Sequence, residues 1–260
     1  MGALSLLSEI LKRRVLAVQN YTLLSARSVR NLAGHPRYLY DTMAQMDIIG
    51  VGSLPIVILT GFFIGAVLVL QTAAQFMAFG EAALTGDIVA LSLVREIGPV
   101  ITALLVAGRN ASGIASELGS MVVTEQVDAM RAMGTDPTRK LVTPRVVATT
   151  SMLPLLTIVA DFVGLVGGFI VAFFEIHLSP IQFWTRAVGA LEFKDLVQGL
   201  AKPFLFGFIV SSVGCYYGLT TRGGTQGVGR STTEAVVTSS VLVLVSDFFV
   251  TKFLLWALEM

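Results

Sequence analysis

Charged residues are scarce in this sequence: Asp, Glu, Lys and Arg together make up 13% of its 260 residues. Soluble domains carry roughly 25%, so this composition excludes an ordinary soluble protein. Residues 48–80 contain no charged side chain, and residues 197–221 contain only Lys202. Because about 20 apolar residues can cross the hydrocarbon core of a bilayer, the sequence predicts an all-α integral membrane protein.

Residues that usually carry catalysis or bind metals are also scarce. The single cysteine, Cys215, excludes an intramolecular disulfide and is predicted to be a packing residue. The two histidines, His35 and His177, are isolated, which argues against a histidine metal site. No G-x-x-x-x-G-K-S/T phosphate loop is present, and a net charge of +1 argues against a nucleic-acid partner. We expect a non-catalytic chain with no metal and no bound cofactor.

The first 40 residues have the pattern of an amphipathic helix. Lys12, Arg13 and Arg14 fall mostly outside its apolar stripe. This pattern predicts a helix lying in the membrane interface, with a helix packed on a cytosolic partner as the alternative. The stripe consists of Leu4, Leu7, Leu11, Val15 and Val18.

Five spanning helices are predicted after this segment. An N-terminus in the cytoplasm places most of the chain's 18 Lys and Arg residues on the cytoplasmic side. By the positive-inside rule, five spans then place the C-terminus outside. The Gly-rich stretch 222–230 is predicted to be a flexible loop. The predicted spans cover about 48–78, 87–112, 146–174, 197–219 and 234–258.

Small residues recur every four positions along the second predicted span. Such spacing lets helix backbones approach closely in lipid, so we expect this face to pack against other helices. Two glycine-spaced stretches, 61–65 and 164–168, carry the same pattern on other spans. The small residues of the second span are Ala103, Ala107, Ala111, Ala115 and Gly119.

The longest polar interruption between spans covers residues 117–145. Its centre is predicted to form a short helix at about 121–134, because Gly134 is a residue favoured just past a helix C-terminus. A simple connector does not need about 25 residues. We therefore expect a docking surface for a partner protein, with a mere connector as the alternative.

Two adjacent charges, Arg95 and Glu96, interrupt the second predicted span. A charge in the middle of a bilayer costs at least about 2.5–3.5 kcal/mol, so such residues normally face a bundle interior or a wet cavity. Neighbouring residues on a helix point about 100° apart, so the two side chains do not simply pair with each other. Each is expected to have its own partner or a water.

Several stretches together resemble one family of transport proteins. Residues 128–134, DAMRAMG, are similar in spacing to the E-A-A-x-x-x-G loop by which ABC importer permeases engage their ATPases. Combined with SLVREIGPVITALLVAGR (92–109), SELGSMVVTEQ (116–126) and GGTQGVGRSTTEAVVTSS (223–240), the sequence resembles the MlaE/YrbE permease family. The resemblance extends over about residues 45–258. It implies that the chain, residues 1–260, is a single permease domain.

The resemblance implies an assembly in the bacterial inner membrane. Two copies of the permease would form a homodimer, two cytoplasmic ABC ATPase subunits would use ATP and Mg, and a periplasmic Mce-domain (MlaD-like) protein would complete the complex. Phospholipid would pass through a cavity at the dimer interface to maintain outer-membrane lipid asymmetry. The short helix of the 117–145 segment becomes the coupling helix that docks on the ATPase. Its expected contact residues are Glu125, Asp128, Met130, Arg131 and Met133.

The resemblance also adds residues to the intramembrane charges. Lys202 and Asp247 match positions in the family's motifs, and with Arg95 and Glu96 they sum to zero. Under the substrate-binding hypothesis, Arg95 and Lys202 would meet a lipid phosphate while Glu96 and Asp247 hold these cations in place. Leu68 and Gln71 would line the cavity wall from the first span.

Three alternatives remain open at the level of sequence. The charges could form a structural ion-pair network that holds the spans together. The chain could instead be an ion-coupled secondary transporter that uses Asp161, Asp247 and Glu96. A purely structural membrane scaffold is the third alternative, and it accounts poorly for charges inside the spans.

Overall fold

Five long apolar helices dominate the computed structural model, which describes residues 2–32, 34 and 38–258. All five are long and apolar enough to cross a membrane, so the predicted all-α architecture with five spans is confirmed. A long helix, α1, precedes them, and two short helices lie between spans. The helices are α1 (Gly2–Asn31), α2 (Leu39–Met77), α3 (Ala82–Val123), α4 (Gln126–Ala132), α5 (Thr138–Phe174), α6 (Pro180–Gly189), α7 (Phe193–Leu219) and α8 (Gly224–Ala257).

The spanning helices are longer than the apolar stretches that predict them. At about 1.5 Å per residue, the 42 residues of α3 extend about 63 Å, well beyond the roughly 30 Å hydrocarbon core. Hydropathy detects only the part of a helix that lies in lipid. Polar turns such as those at the start of α2 and the end of α3 continue the same helix outside it.

The Gly-rich stretch 222–230 is not the flexible loop that composition predicts. The turn is confined to Gly223 and Gly224, whose φ angles are +92° and +67°, and α8 begins at Gly224. Positive φ angles require glycine at these two positions, and Gly227 is also needed because a Cβ there would overlap the Arg222 carbonyl oxygen. Residues 225–230 form the first turns of α8.

The glycine-spaced stretches of α2 and α5 pack against each other. A Cβ on Gly65 would overlap the carbonyl oxygen of Gly164, and a Cβ on Gly167 would overlap that of Phe62. Only glycine therefore allows the two backbones to lie this close. The close approach makes α2 and α5 one packed pair within the bundle.

The small-residue face of α3 is buried against α7 and α8. Ala103, Ala107, Ala111 and Ala115 are all 0% exposed. The backbone of Ala111 lies 3.2 Å from where a Cβ of Gly214 would stand, and Gly119 lies against Thr221. The neighbouring face of α3, with Gly108, points away from the rest of the chain.

The helix α1 contacts the bundle through its C-terminal half. The Tyr21 hydroxyl lies 2.9 Å from Ser212 Oγ on α7. Leu11, Val15 and Val18 on the predicted apolar stripe are 59–65% exposed, so no described part of the chain covers them. The side chains of the other stripe and basic residues lie outside the described residues, as does the whole of His35 and Arg37. These side chains are Leu4, Leu7, Arg13 and Arg14.

Candidate functional site

The charged pair of α3 lies on a widened, π-helical turn, Leu93–Ile97. The Gly98 amide donates to the Leu93 carbonyl, five residues back, which is the bond that defines such a turn. Pro99 follows and has no N–H, so the Arg95 carbonyl loses the donor that an α-helix would give it. The local sequence thus creates both a pair of charges and a free carbonyl at one point inside the bundle.

Lys202 of α7 supplies the missing donor. Its ammonium donates to the Arg95 carbonyl over 3.1 Å, lies 2.5 Å from Glu96 Oε2 and lies 3.2 Å from Asp247 Oδ1 on α8. Three oxygens therefore surround the ammonium: the Arg95 carbonyl and Glu96 accept hydrogen bonds from it, whereas Asp247 Oδ1 is an ion-pair contact without a hydrogen bond. The Lys202 side chain is 0% exposed, which a membrane protein tolerates only when the charge is paired in this way.

Glu96 connects α3 with both helices that face it. Besides Lys202, its carboxylate accepts a hydrogen bond of 3.1 Å from Gln198 Nε2 on α7 and lies 3.4 Å from Thr251 Oγ1 on α8. The side chain nevertheless remains 39% exposed. One face of this carboxylate is thus held by protein, and the other is accessible.

Arg95 has a partner that the sequence analysis did not identify. Its Nη2 lies 2.5 Å from Asp195 Oδ1, and its Nε donates to the same oxygen over 2.7 Å. The other oxygen of Asp195 accepts from the backbone of Glu192 and caps α7. Asp195 stands in the first turn of α7, just outside the apolar run, and was therefore not counted among the intramembrane charges. A first-turn acid at a capping-box spacing was the available signal.

Counting Asp195 changes the formal charge of the cluster. Two cations, Arg95 and Lys202, face three carboxylates, so the predicted neutral set of four becomes a set of five with a formal charge of −1. The cations also differ in access, because Lys202 is fully buried whereas the Arg95 side chain is 33% exposed. A ligand can reach Arg95 and Glu96 but not Lys202.

Gly199 allows α7 to lie this close to the π-helical turn. A Cβ at that position would overlap the Val94 carbonyl oxygen. Gln198 and Lys202, on the same side of α7, can therefore reach Glu96 and the Arg95 carbonyl. The glycine thus sets the separation of the two helices on which the cluster depends.

Asp161 of α5 lies beside the cluster without joining it. Its carboxylate stands directly against Gly98, and its Oδ1 is buried without a hydrogen-bond partner among the described residues. No ion pair links Asp161 to Lys202 or Arg95 in the part of the chain that the structure describes. The three carboxylates of the secondary-transporter alternative are thus not held by one common cation.

Leu68 and Gln71 lie apart from the charges, in a groove of about 500 Å³ along α2. The groove also includes Ile64, which lines a narrow crevice together with Leu93 and Ile97 of α3. Ile97 follows Glu96 in the chain. The crevice therefore lies between the apolar groove and the apolar residues of the helix turn that carries the charges.

The short helix α4, Gln126–Ala132, lies within the predicted range of 121–134 but is shorter, because residues 121–123 still belong to α3. Gly134 ends it with a φ of +77°, and the Thr135 amide donates to the Met130 carbonyl. Val127 is 3% exposed and holds the helix on the ends of α3 and α5. Of the predicted contact residues, Met130 also packs partly against this base, whereas Met133 is 75% exposed.

The polar residues of α4 are on its outer surface. Arg131 Nη1 donates to Asp128 Oδ1 over 2.8 Å, and both side chains are more than 60% exposed. Glu125, also exposed, begins the helix with a φ of +59°. The structure thus presents Met133 and the Asp128–Arg131 pair outward, at the opposite end of the bundle from the Lys202 cluster.

Comparison with known proteins identifies the family. A family model described as Permease MlaE matches residues 42–253. The chain belongs to the MlaE permease family. A probable ABC transporter permease of Rickettsia typhi is 42% identical to this MlaE permease over 234 residues, which is 90% of each chain. One from a Synechocystis species is 42% identical over 209 residues, or 80% of each chain.

A plant protein is also similar to this MlaE permease. The protein TRIGALACTOSYLDIACYLGLYCEROL 1, chloroplastic, of Arabidopsis thaliana is 38% identical over 213 residues, which is 82% of this chain and 61% of that protein. The family and these relatives establish a multi-pass membrane permease subunit. The name ABC transporter permease implies an ATPase partner.

Proposed function

We propose that this MlaE permease moves phospholipid, as the membrane subunit of an ATP-driven transporter, between the inner membrane and a periplasmic Mce-domain (MlaD-like) partner. In this role it maintains the lipid asymmetry of the outer membrane. Membership of the MlaE family supports the proposal, and one relative is named after a diacylglycerol lipid. ATP and Mg are used by the partner ATPase, and the chain itself binds no cofactor.

The observation that carries the proposal is that some charges of the cluster are buried within the protein and others are accessible. Buried Lys202 and Asp195 are engaged within the protein, whereas Arg95 and Glu96 stay partly exposed. A purely structural network inside a bilayer has no need to leave charges accessible. In the proposed role Arg95 meets the lipid phosphate, and Lys202 with Asp247 fixes Glu96 beside it.

The groove along α2 supplies the apolar part of the proposed path. Its walls, which include Leu68, Gln71 and Phe63, come from one helix only, so a second copy of the chain is needed to close it. A homodimer would enclose acyl chains in this groove. The crevice at Ile64 and Ile97 would then place the headgroup next to Arg95 and Glu96.

The direction of the bundle follows from the basic residues. The end that carries α4 also carries Arg139, Lys140 and Arg145, and the positive-inside rule places this end in the cytoplasm. The Lys202 cluster then lies toward the periplasm, and α4 is the coupling helix. Met133 would enter a groove of the ATPase, with the Asp128–Arg131 pair fixing the register.

A transport assay with defined energy sources tests this function. The permease is reconstituted with its ATPase and Mce-domain partner in liposomes that contain a labelled phospholipid, and transfer to acceptor protein or vesicles is followed. We expect transfer that requires ATP and stops when the ATPase is inactivated. The same liposomes with a proton or sodium gradient and no ATP should remain inactive.

The two transporter classes predict opposite results. Transfer driven by an ion gradient without ATP would support the ion-coupled alternative and refute the ABC mechanism. ATP hydrolysis without any phospholipid transfer would refute the proposed substrate.

A further inference from the structure

A second cavity lies at the other end of the bundle, far from the Lys202 cluster. It has a volume of about 240 Å³ and opens between the start of α2, the end of α3, the start of α5 and α4. This volume corresponds to about eight water molecules, more than a single ion needs. Its polar lining consists of Asp41, Gln45, Glu117, Lys140 and Arg145.

The cavity lies at the depth of lipid headgroups. Asp47 is the last charge before the uncharged stretch 48–80, and Arg145 is the last before the uncharged stretch 146–160. Asp41 precedes Asp47 by six residues, or about 9 Å along the helix. The headgroup layer extends about 5–8 Å beyond the hydrocarbon core. The lining therefore begins at the edge of the core and extends through the headgroup layer.

Two of the charges in the cavity are already paired. Arg145 Nη2 lies 2.7 Å from Glu117 Oε1, and its Nη1 donates to the Leu141 carbonyl. The Arg145 side chain is 5% exposed, and its Nε is buried without a partner among the described residues. The unused Nε donor is enclosed by protein, so Arg145 contributes a positive charge to the wall of the cavity and no donor to a ligand.

The other two charges have opposite signs and lie on different helices. Asp41 on α2 forms no hydrogen bond or ion pair with the described residues. Lys140 on α5 lies 5.0 Å above the ring of Tyr38 and forms no ion pair within the described part of the chain. The lining therefore offers an anion and a cation in a cavity whose total formal charge is zero.

This arrangement matches a zwitterion better than a simple anion. A phosphate can accept from Lys140, near the positive charge of Arg145, while an amine can donate to Asp41 and Gln45. None of the described residues that line the cavity is aromatic, and a quaternary ammonium group is normally bound by aromatic rings. A primary ammonium, with three N–H donors, suits carboxylate and amide oxygens instead.

We propose that this cavity binds the phosphoethanolamine headgroup of a phospholipid in the leaflet that faces α4. The site is separate from the Lys202 cluster and does not depend on the proposed transport function. Phosphoethanolamine contacts Lys140 through its phosphate and Asp41 through its ammonium. Phosphatidylcholine has no N–H group to donate to Asp41, and phosphatidylglycerol has no ammonium group at all.

Alkylation of an introduced cysteine reports on the cavity directly. Ala44 is exposed and lines the cavity, whereas the native Cys215 is 0% exposed and does not react. The full chain carrying Ala44→Cys is placed in nanodiscs that contain either phosphatidylethanolamine or phosphatidylcholine with identical acyl chains. The rate of reaction with a maleimide is then measured.

We expect the reaction to be at least about fivefold slower with phosphatidylethanolamine, since occupancy slows it by 1 + [L]/Kd. The matched control is Met43→Cys, which is exposed at the same depth but does not line the cavity. It should react equally in both lipids. Adding Asp41→Asn or Lys140→Gln to Ala44→Cys should remove the difference.

Soluble glycerophosphoethanolamine, added to phosphatidylcholine nanodiscs, separates the two sources of the headgroup. Protection by it supports the site and shows that the headgroup alone suffices. Protection only in phosphatidylethanolamine nanodiscs supports the site with a membrane lipid as its ligand. Equal rates at Ala44→Cys in both lipids, or protection that persists in Asp41→Asn, would overturn the proposal.

Discussion

The two halves of α3 contact the same neighbouring helices, α7 and α8, with different kinds of side chain. From Ala103 to Gly119 the helix contacts α7 and α8 mainly through small apolar side chains, with Ile114 and Leu118 packed against Gly214 and Gly218 of α7. From Leu93 to Ile97 the same two helices are contacted by an arginine, a glutamate and a free carbonyl. The alanine half packs as a membrane protein interior normally does. The charged half instead carries the free-energy cost of placing charges inside a bilayer, which helix packing alone does not require.

This difference between the two halves of α3 indicates that residues for stability and residues for function occupy different parts of one helix. Buried ion pairs are weak support for stability, because a well-packed apolar replacement is often as stable. The charged half is therefore where a role in transport is expected, and the alanine half is where stability is expected. Each variant below acts on one half, or on a surface outside both.

The largest effect is expected from Lys202→Met. The change leaves Glu96 and Asp247 without their shared cation inside the bundle. Removing one partner of a buried pair typically costs about 3–5 kcal/mol, and we expect a loss of this size in the free energy of unfolding in detergent. Lys252→Met on exposed α8 surface is the matched control and should unfold like the native protein. A Lys202→Met variant of unchanged stability would contradict the cluster geometry.

A smaller loss is expected in the alanine half. Ala107→Leu or Ala111→Leu inserts three carbons where α7 and α8 leave no space, and overpacking costs about 1–3 kcal/mol. Gly108→Leu is the control, because a Cβ at Gly108 would meet no atom within 4 Å. If Ala107→Leu were as stable as Gly108→Leu, the buried face would not be a tight contact.

Stability should hardly change when the outer surface of α4 is altered. Asp128→Arg combined with Arg131→Asp reverses both charges and preserves their pairing, and an exposed pair contributes only about 0.3–0.5 kcal/mol. We nevertheless expect the double variant to lose the partner ATPase in a pull-down assay. Retention of the ATPase would exclude this pair from the docking surface.

The smallest expected difference concerns a face covered by lipid instead of protein. Leu11 and Lys12 on α1 are both exposed in the chain, so a difference between them must come from outside the chain, and the interfacial prediction assigns it to the membrane. A cysteine in place of Lys12 should react readily with a cytoplasmic thiol reagent, and one in place of Leu11 should react poorly. Equal reactivity would indicate a solvated helix instead of an interfacial one.

The sequence predicts those features of the fold that depend on neighbouring residues in the chain, and it does not predict which distant segments meet. Uncharged runs predict five spans, and Gly134 predicts where α4 ends. The pairing of Gly65 with Gly164 could not be predicted, since spacing shows that a face is small but not which helix it meets. The extra polar turns of each span were missed because hydropathy does not register helix outside lipid.

The charged cluster was only partly predictable for the same reason. Family resemblance selected Lys202 and Asp247, and the structure places both beside Glu96. Asp195 was missed because it stands before the apolar run, and its partner Arg95 is 100 residues away in the chain. The π-helical turn, which sets the direction of Arg95 and Glu96, has no sequence signal beyond Pro99.

Neutralising Lys202 and Asp247 together tests the central claim most directly. In Lys202→Gln/Asp247→Asn one cation and one carboxylate are removed together, so the formal charge of the cluster stays −1. Glu96 loses its ion pair with Lys202, but it is 39% exposed and keeps its contacts with Gln198 and Thr251. The measurement is ATP-dependent phospholipid transfer by the reconstituted complex, made on protein whose folding and ATPase association have been verified. We expect a folded, assembled complex that no longer transfers lipid. Unimpaired transfer by the folded double variant would contradict a role of the cluster in handling headgroups and leave it a structural network.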